Sequence, residues 1–169
     1  MVHDTAMSQY IPPTLMHYVT GTWTEAAGAV AGTIAKAMAD PGAPGATAVV
    51  NIPVLVPSNS VALKGAYLKS IEIDYEIFTA ACTSVTPVVN KVTRGADGAV
   101  AVVSAPAVTQ DLAAAVAAAT QDQHKLTVTV TTPFWIDNDD YYLLQLSIVC
   151  GAAVTVDLLG AVANFTLRV

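Results

Sequence analysis

Hydrophobic and polar residues alternate with period two along much of the chain. From Leu68 to Phe78, Ile71, Ile73, Tyr75 and Ile77 occupy one parity, and Ser70, Glu72, Asp74 and Glu76 the other. Successive side chains of a strand point to opposite faces, so this stretch predicts a β-strand with one buried and one wet face. Thr47–Val56 repeats the pattern through Val50, Ile52, Val54 and Val56, and Pro53 within it suggests a sheet edge. Val85–Thr93 and Ala99–Val103 predict a hairpin around Arg94-Gly-Ala-Asp-Gly. Further on, Leu126, Val128 and Val130 alternate with Thr127 and Thr129, and Tyr142, Leu144, Leu146 and Ile148 with Gln145 and Ser147. The last strand starts with Val154, Val156 and Leu158 in phase, then continues as Leu159, Ala161, Ala163, Phe165 and Leu167 on the opposite parity. A one-residue slip beside Gly160 predicts a β-bulge that bends a long final strand.

The first third is less regular. His17–Thr24, rich in Thr and aromatic residues, predicts a first strand. In Ala26–Ala39 the alanines favour helix, but Gly28 and Gly32 each oppose it by about 1 kcal/mol, so an irregular or extended segment is expected. Thr109–Thr120 suits either a short helix capped at Thr109 or a crossing loop. Met1–Thr14 shows no periodicity, and Pro12 and Pro13 disfavour helix there. The expected architecture is all-β: a single-domain, jelly-roll-like β-sandwich of about eight strands over residues 17–169, with an extended N-terminal arm over residues 1–16.

Composition changes the picture in one respect. Apolar residues make up 54% of the 169, but charged residues only 12%, against roughly a quarter in typical globular proteins. Either membrane or other protein surface must then cover part of the exterior. A spanning helix needs about 20 continuous apolar residues, and the best candidates, Ala26–Ala39 and Leu112–Ala119, are shorter. A homo-oligomer without membrane contact is therefore expected. Seven Lys and Arg against thirteen acids give a net charge of −6, which argues against a nucleic-acid partner. Met1–Tyr10 has no apolar signal-peptide core, so Cys82 and Cys150 are expected to be made in a reducing cytosol and to stay as thiols.

Candidate chemistry is sparse. The loop Asp137-Asn138-Asp139-Asp140 offers oxygen ligands for a hard cation, yet an EF-hand would need Gly and Glu where Tyr142 and Ile148 stand. A solvated turn is the simpler reading. Trp23, Trp135, Tyr141 and Tyr142 would suit a flat sugar-stacking platform, and equally a core or interface. His3, His17 and His124 have no metal-ligand spacing, and the two cysteines form no Cys-x-x-Cys pair. Glu72, Asp74 and Glu76 resemble paired carboxylates but read as solvated charge on a sheet face. Asn164-Phe165-Thr166 matches a glycosylation sequon, which without a secretory route is read as coincidence. No catalytic, cofactor-binding or metal-ligating residue is assigned.

Three pieces occur in order: Thr20-Gly-Thr-Trp-Thr, the central Leu68-Lys-Ser-Ile-Glu-Ile-Asp-Tyr-Glu-Ile-Phe-Thr-Ala-Ala, and a close from Tyr142-Leu-Leu-Gln-Leu through Leu159-Gly-Ala-Val-Ala-Asn-Phe-Thr-Leu-Arg-Val. Over Thr20–Val169 the chain resembles the small β-sandwich structural proteins of tailed bacteriophages, particularly capsid decoration (cement) and head-surface proteins. The resemblance implies a non-enzymatic virion component made in the host cytoplasm, often trimeric, that contacts the major capsid protein or other virion proteins. A carbohydrate- or receptor-binding module of a head or tail fibre is the alternative.

Overall fold

The computed structural model describes residues 4–20, 23–25, 34–38, 46–55, 66–78, 80–95, 97, 99, 102–111, 119–133, 140–150 and 154–168. Twelve strands run through them: β1 (Asp4–Ile11), β2 (His17–Tyr18), β3 (Thr24–Glu25), β4 (Ile34–Met38), β5 (Ala46–Val54), β6 (Ala66–Phe78), β7 (Ser84–Thr93), β8 (Val102–Ser104), β9 (Val108–Gln110), β10 (Gln123–Val130), β11 (Asp140–Cys150) and β12 (Val154–Arg168). A 3-10 turn, Pro13–Leu15, links β1 to β2.

All strand pairings are antiparallel and fall into two sheets. Sheet A has the order β3-β4-β12-β6-β10-β9, with β1 also on β12, and sheet B the order β2-β5-β11-β7-β8. Consecutive long strands change sheet, β5 to β6 to β7 and β10 to β11 to β12. Eight of them form two four-stranded layers, β4-β12-β6-β10 and β5-β11-β7-β8, which is the wrapping of a jelly roll. The expected all-β sandwich is therefore the fold.

Its core follows the alternation. On β6 the residues Ile71, Ile73, Tyr75 and Ile77 are buried, and the polar residues between them are half-exposed. Ile52, Leu126, Leu144 and Leu146 meet them from β5, β10 and β11, all with no exposed surface. The slip at Leu158–Gly160 is a bulge in the β12/β6 ladder: Leu158 pairs Tyr75, Gly160 pairs Asp74, and Leu159 is the extra residue. Gly160 has φ +146°, which favours glycine, and a Cβ there would lie 2.6 Å from the Tyr10 hydroxyl oxygen and have to displace that ring.

Three local expectations need correction. The stretch read as an arm is part of the sheet. Asp4–Ile11 pairs residue by residue with Arg168–Ala161, and Ile11 and Met16 enter the core. This strand is held mainly through its backbone, and its side chains from Thr5 to Ser8 are exposed, so no alternation marked it. The predicted first strand His17–Thr24 is instead two short strands in different sheets, β2 on β5 and β3 on β4. Thr109 lies within strand β9 rather than capping a helix, and residues 112–118 of that segment lie outside the described residues.

Two other readings hold. Ile34–Met38 is extended, and Pro53 sits where β5 has no outer partner, since β2 covers only Val50 and Asn51.

The cysteines also differ from expectation. Cys82, just before β7, and Cys150, the last residue of β11, are joined by a disulfide with Cα atoms 4.2 Å apart. The β7/β11 ladder sets Ser84 opposite Val149. Strand pairing therefore brings together two thiols that are 68 residues apart in sequence.

Candidate functional site

The two outward faces of the sandwich differ in charge. On sheet A, Glu72, Asp74 and Glu76 of β6 point outward beside Lys125 of β10. Lys125 pairs with Glu72, which also accepts a hydrogen bond from the Asn164 amide at 3.0 Å. The Lys125 bond first, and the Asn164 bond after it, hold the Glu72 carboxyl below the usual range. Asn164 further donates to Ser70 and accepts from Ser8, so the sequon asparagine is engaged in a side-chain network across β1, β12 and β6.

Sheet B is different. Its outward parity carries Thr47, Val49, Asn51 and Pro53 on β5, and Tyr141, Leu143, Gln145, Ser147 and Val149 on β11. On β7 it carries Ser84, Thr86, Val88, Asn90 and Val92, flanked by His17 on β2 and Val103 on β8. No Asp, Glu, Lys or Arg points outward from the described strands of this sheet. Gln145 donates to Asn51 at 3.3 Å, tying two strands on the surface. Val19, Leu55, Val88, Val103 and Tyr141 on and around this face are large exposed apolar or aromatic residues. The antiparallel β2/β5 register that sets His17 opposite Asn51 also places exposed Leu15 and Leu55 toward the same end.

The size of that face approaches that of one side of a protein interface. At about 4.8 Å strand spacing and about 3.4 Å per residue, the strands of this face cover on the order of 570 Å². A stable complex buries about 800 Å² per partner.

The candidate groups are scattered. Asp140 heads β11 and faces inward, 2.9 Å from the Lys91 amine and 2.5 Å from the Thr93 hydroxyl that donates to it. Asp137, Asn138 and Asp139 lie outside the described residues, as do Trp135 and His3. Tyr142 is fully buried and Tyr141 lies on the opposite face, so these two build no platform. Trp23 packs on Tyr18 with ring centres 4.6 Å apart and donates its indole N–H to the Thr20 carbonyl. His17 is exposed on β2, far along the chain from His124, which stacks on buried Tyr75 at 5.1 Å. Among the described residues no three His, Cys, Asp or Glu side chains are placed to hold a metal ion.

One acid is out of place in solvent terms. Asp157 lies between Ala35 of β4 and Glu76 of β6, is 6% exposed, and its Oδ1 lacks a hydrogen-bond partner among the described residues. Burial pushes its carboxyl above the ordinary range. A raised folded-state value means the folded protein binds this proton more tightly than the unfolded chain. The associated stability is full below the ordinary Asp value of about 3.9 and is lost as pH rises through the raised one. Asp157→Asn should thus melt higher than wild type at neutral pH, with the gap closing on acidification. Parallel melting curves across the pH range would show that the carboxylate is solvated.

No protein-family model matches the chain, and no curated protein is detectably similar to it. Among solved structures, one from work on the promiscuous specificity of carbohydrate-binding modules of the β-sandwich superfamily is a weak match. It aligns at TM-score 0.41 and 10% identity over 94% of this chain and 55% of its own. This chain thus spans about half the length of that protein.

Proposed function

We propose that the chain is a non-enzymatic structural protein that assembles through the charge-free outer face of sheet B, as a capsid decoration (cement) protein of a tailed bacteriophage. The observation that carries this reading is the asymmetry of the sandwich: acids and Lys125 on one outer face and, among the described residues, neither Lys, Arg, Asp nor Glu pointing outward from the strands of the other. A face of that breadth without charge desolvates at low cost, since no ion has to leave water when it is covered. The buried partner surfaces are further copies of the chain, a trimer on the family resemblance, and the major capsid protein or another virion protein. The acidic net charge keeps such a subunit away from packaged DNA and suits the outside of the particle. The Cys82–Cys150 bridge is compatible with synthesis in the host cytoplasm, since virion surfaces are oxidising once released.

The test is to place charge in the middle of the face. Val88 and Ser147 point outward on neighbouring strands, away from the core. The double variant Val88→Glu, Ser147→Glu should keep the melting temperature within the small range of surface substitutions, about 0.5 kcal/mol. In sedimentation velocity it should run as a monomer where the wild type runs as an oligomer. A wild type that is monomeric alone and does not bind purified particles would end the proposal.

A further inference from the structure

On the opposite, acidic face, a cleft of about 450 Å³ opens beside the β12 bulge, lined by Asp74, Gln123, His124, Lys125 and Leu159. Small-molecule sites run from about 300 to 1,000 Å³. The bulge shapes this one: as the extra residue, Leu159 is only half-buried and supplies an apolar wall. Tyr10 adjoins the Leu159 wall. Its hydroxyl donates to the Leu159 carbonyl at 3.0 Å, its ring lies over Gly160, the cross-strand partner of Asp74, and the residue is 60% exposed.

The polar groups of the cleft are of mixed character, and several are unspent. Neither the Asp74 carboxylate nor the Gln123 side-chain amide has a hydrogen-bond partner among the described residues. His124 lies opposite buried Tyr75 in the β10/β6 ladder, its ring stacks on that tyrosine and its Nε2 donates to the Thr120 carbonyl at 2.8 Å, so the imidazole is turned away from the Asp74 side. Lys125 has three donors and engages Glu72 with its ammonium group.

This combination narrows the ligand. An anion would meet Asp74 with Glu72 and Glu76 nearby, and among the described residues no three side chains are placed for a metal. A polyol is different, because each hydroxyl both donates and accepts. It matches a carboxylate, an amide and an ammonium group set around an apolar wall. A phenol ring beside that wall offers its face to the C–H face of a pyranose. We infer that this cleft is a binding site for a neutral saccharide, stacked on Tyr10 and Leu159 and hydrogen-bonded by Asp74, Gln123 and Lys125. It is independent of the assembly face, and a subunit docked through sheet B would leave it open to solvent.

The test uses the full chain and saturation-transfer NMR with lactose, maltotriose, cellotriose and chitotriose at millimolar concentration. At least one should receive magnetisation from the protein. Asp74→Ala and Gln123→Ala should each weaken its binding on the order of tenfold with unchanged melting temperature, as loss of a hydrogen bond to a bound hydroxyl does. Tyr10→Phe, which keeps the ring, should retain binding better than Tyr10→Ala. The inference is overturned if none of the four saccharides is bound. It is equally overturned if Asp74→Ala and Gln123→Ala both bind as the wild type does, which would put the sugar elsewhere.

Discussion

Removing the Cys82–Cys150 bridge is expected to lower the stability of the folded chain by about 4 kcal/mol. The estimate comes from loop closure: a cross-link 68 residues apart in sequence restricts the unfolded chain, and the entropy recovered on cutting it grows with the logarithm of that separation. For a chain of this size about 1 kcal/mol shifts the melting temperature by ~2–4 °C, so reduction should lower it by roughly 10 °C. The bridge also closes one end of the β7/β11 ladder, where Thr83 donates to the Val149 carbonyl at 2.6 Å and Cys82 to the Ala119 carbonyl at 2.8 Å. Those backbone bonds keep the strand ends in register without the sulfurs, so the reduced protein should be folded, only weaker. Melting the wild type with and without reductant, beside Cys82→Ser, Cys150→Ser, separates the two effects. Identical melting under oxidising and reducing conditions would mean that the thiols do not bridge in solution.

A similar loss is expected in the core. Ile73 lies at the middle of β6, fully buried, with Leu126 of β10 and Ala161 of β12 as its cross-strand partners. Ile73→Ala removes three carbons from a site walled by two sheets, and should cost about 2–5 kcal/mol through lost transfer energy and an unfilled cavity. Asp74, one residue later, points out of sheet A and pairs Lys125 across the ladder. Its replacement by Ala should stay within about 0.5 kcal/mol. Chemical denaturation of both variants measures the difference directly. Equal losses would mean that the outer face of sheet A is covered as tightly as the inner one.

These two predictions draw on different kinds of information. Ile73 was legible from parity alone, because burying one face of a strand forces every second residue to be apolar. The same rule gave β5, β7, β10 and β11 close to their observed bounds. It gave the bulge too, since an extra residue must shift parity. The charge-free face was also written in the chain: no charge stands on the outward parity of Thr47–Pro53, Ser84–Val92 or Tyr141–Val149. What parity does not say is that these three runs lie side by side, because neighbours in a sheet are chosen by the wrapping of the chain.

The remainder was decided only by tertiary structure. β1 is tied to β12 through main-chain bonds, which every residue type makes, so Asp4–Ile11 looks like an unstructured lead-in. The disulfide depends on Ser84 being opposite Val149 in the β7/β11 ladder, and nothing near Cys82 or Cys150 in sequence signals that. The cleft draws on β6, β10 and the β12 bulge, with Tyr10 reaching it from a strand about 150 residues upstream. Alternation records which side of its own strand a residue takes, and so by itself it determined a sandwich with a buried aliphatic core. Which strands become neighbours depends on long-range pairing, and that alone brought the cysteines, the uncharged rows and the polar groups beside Leu159 together.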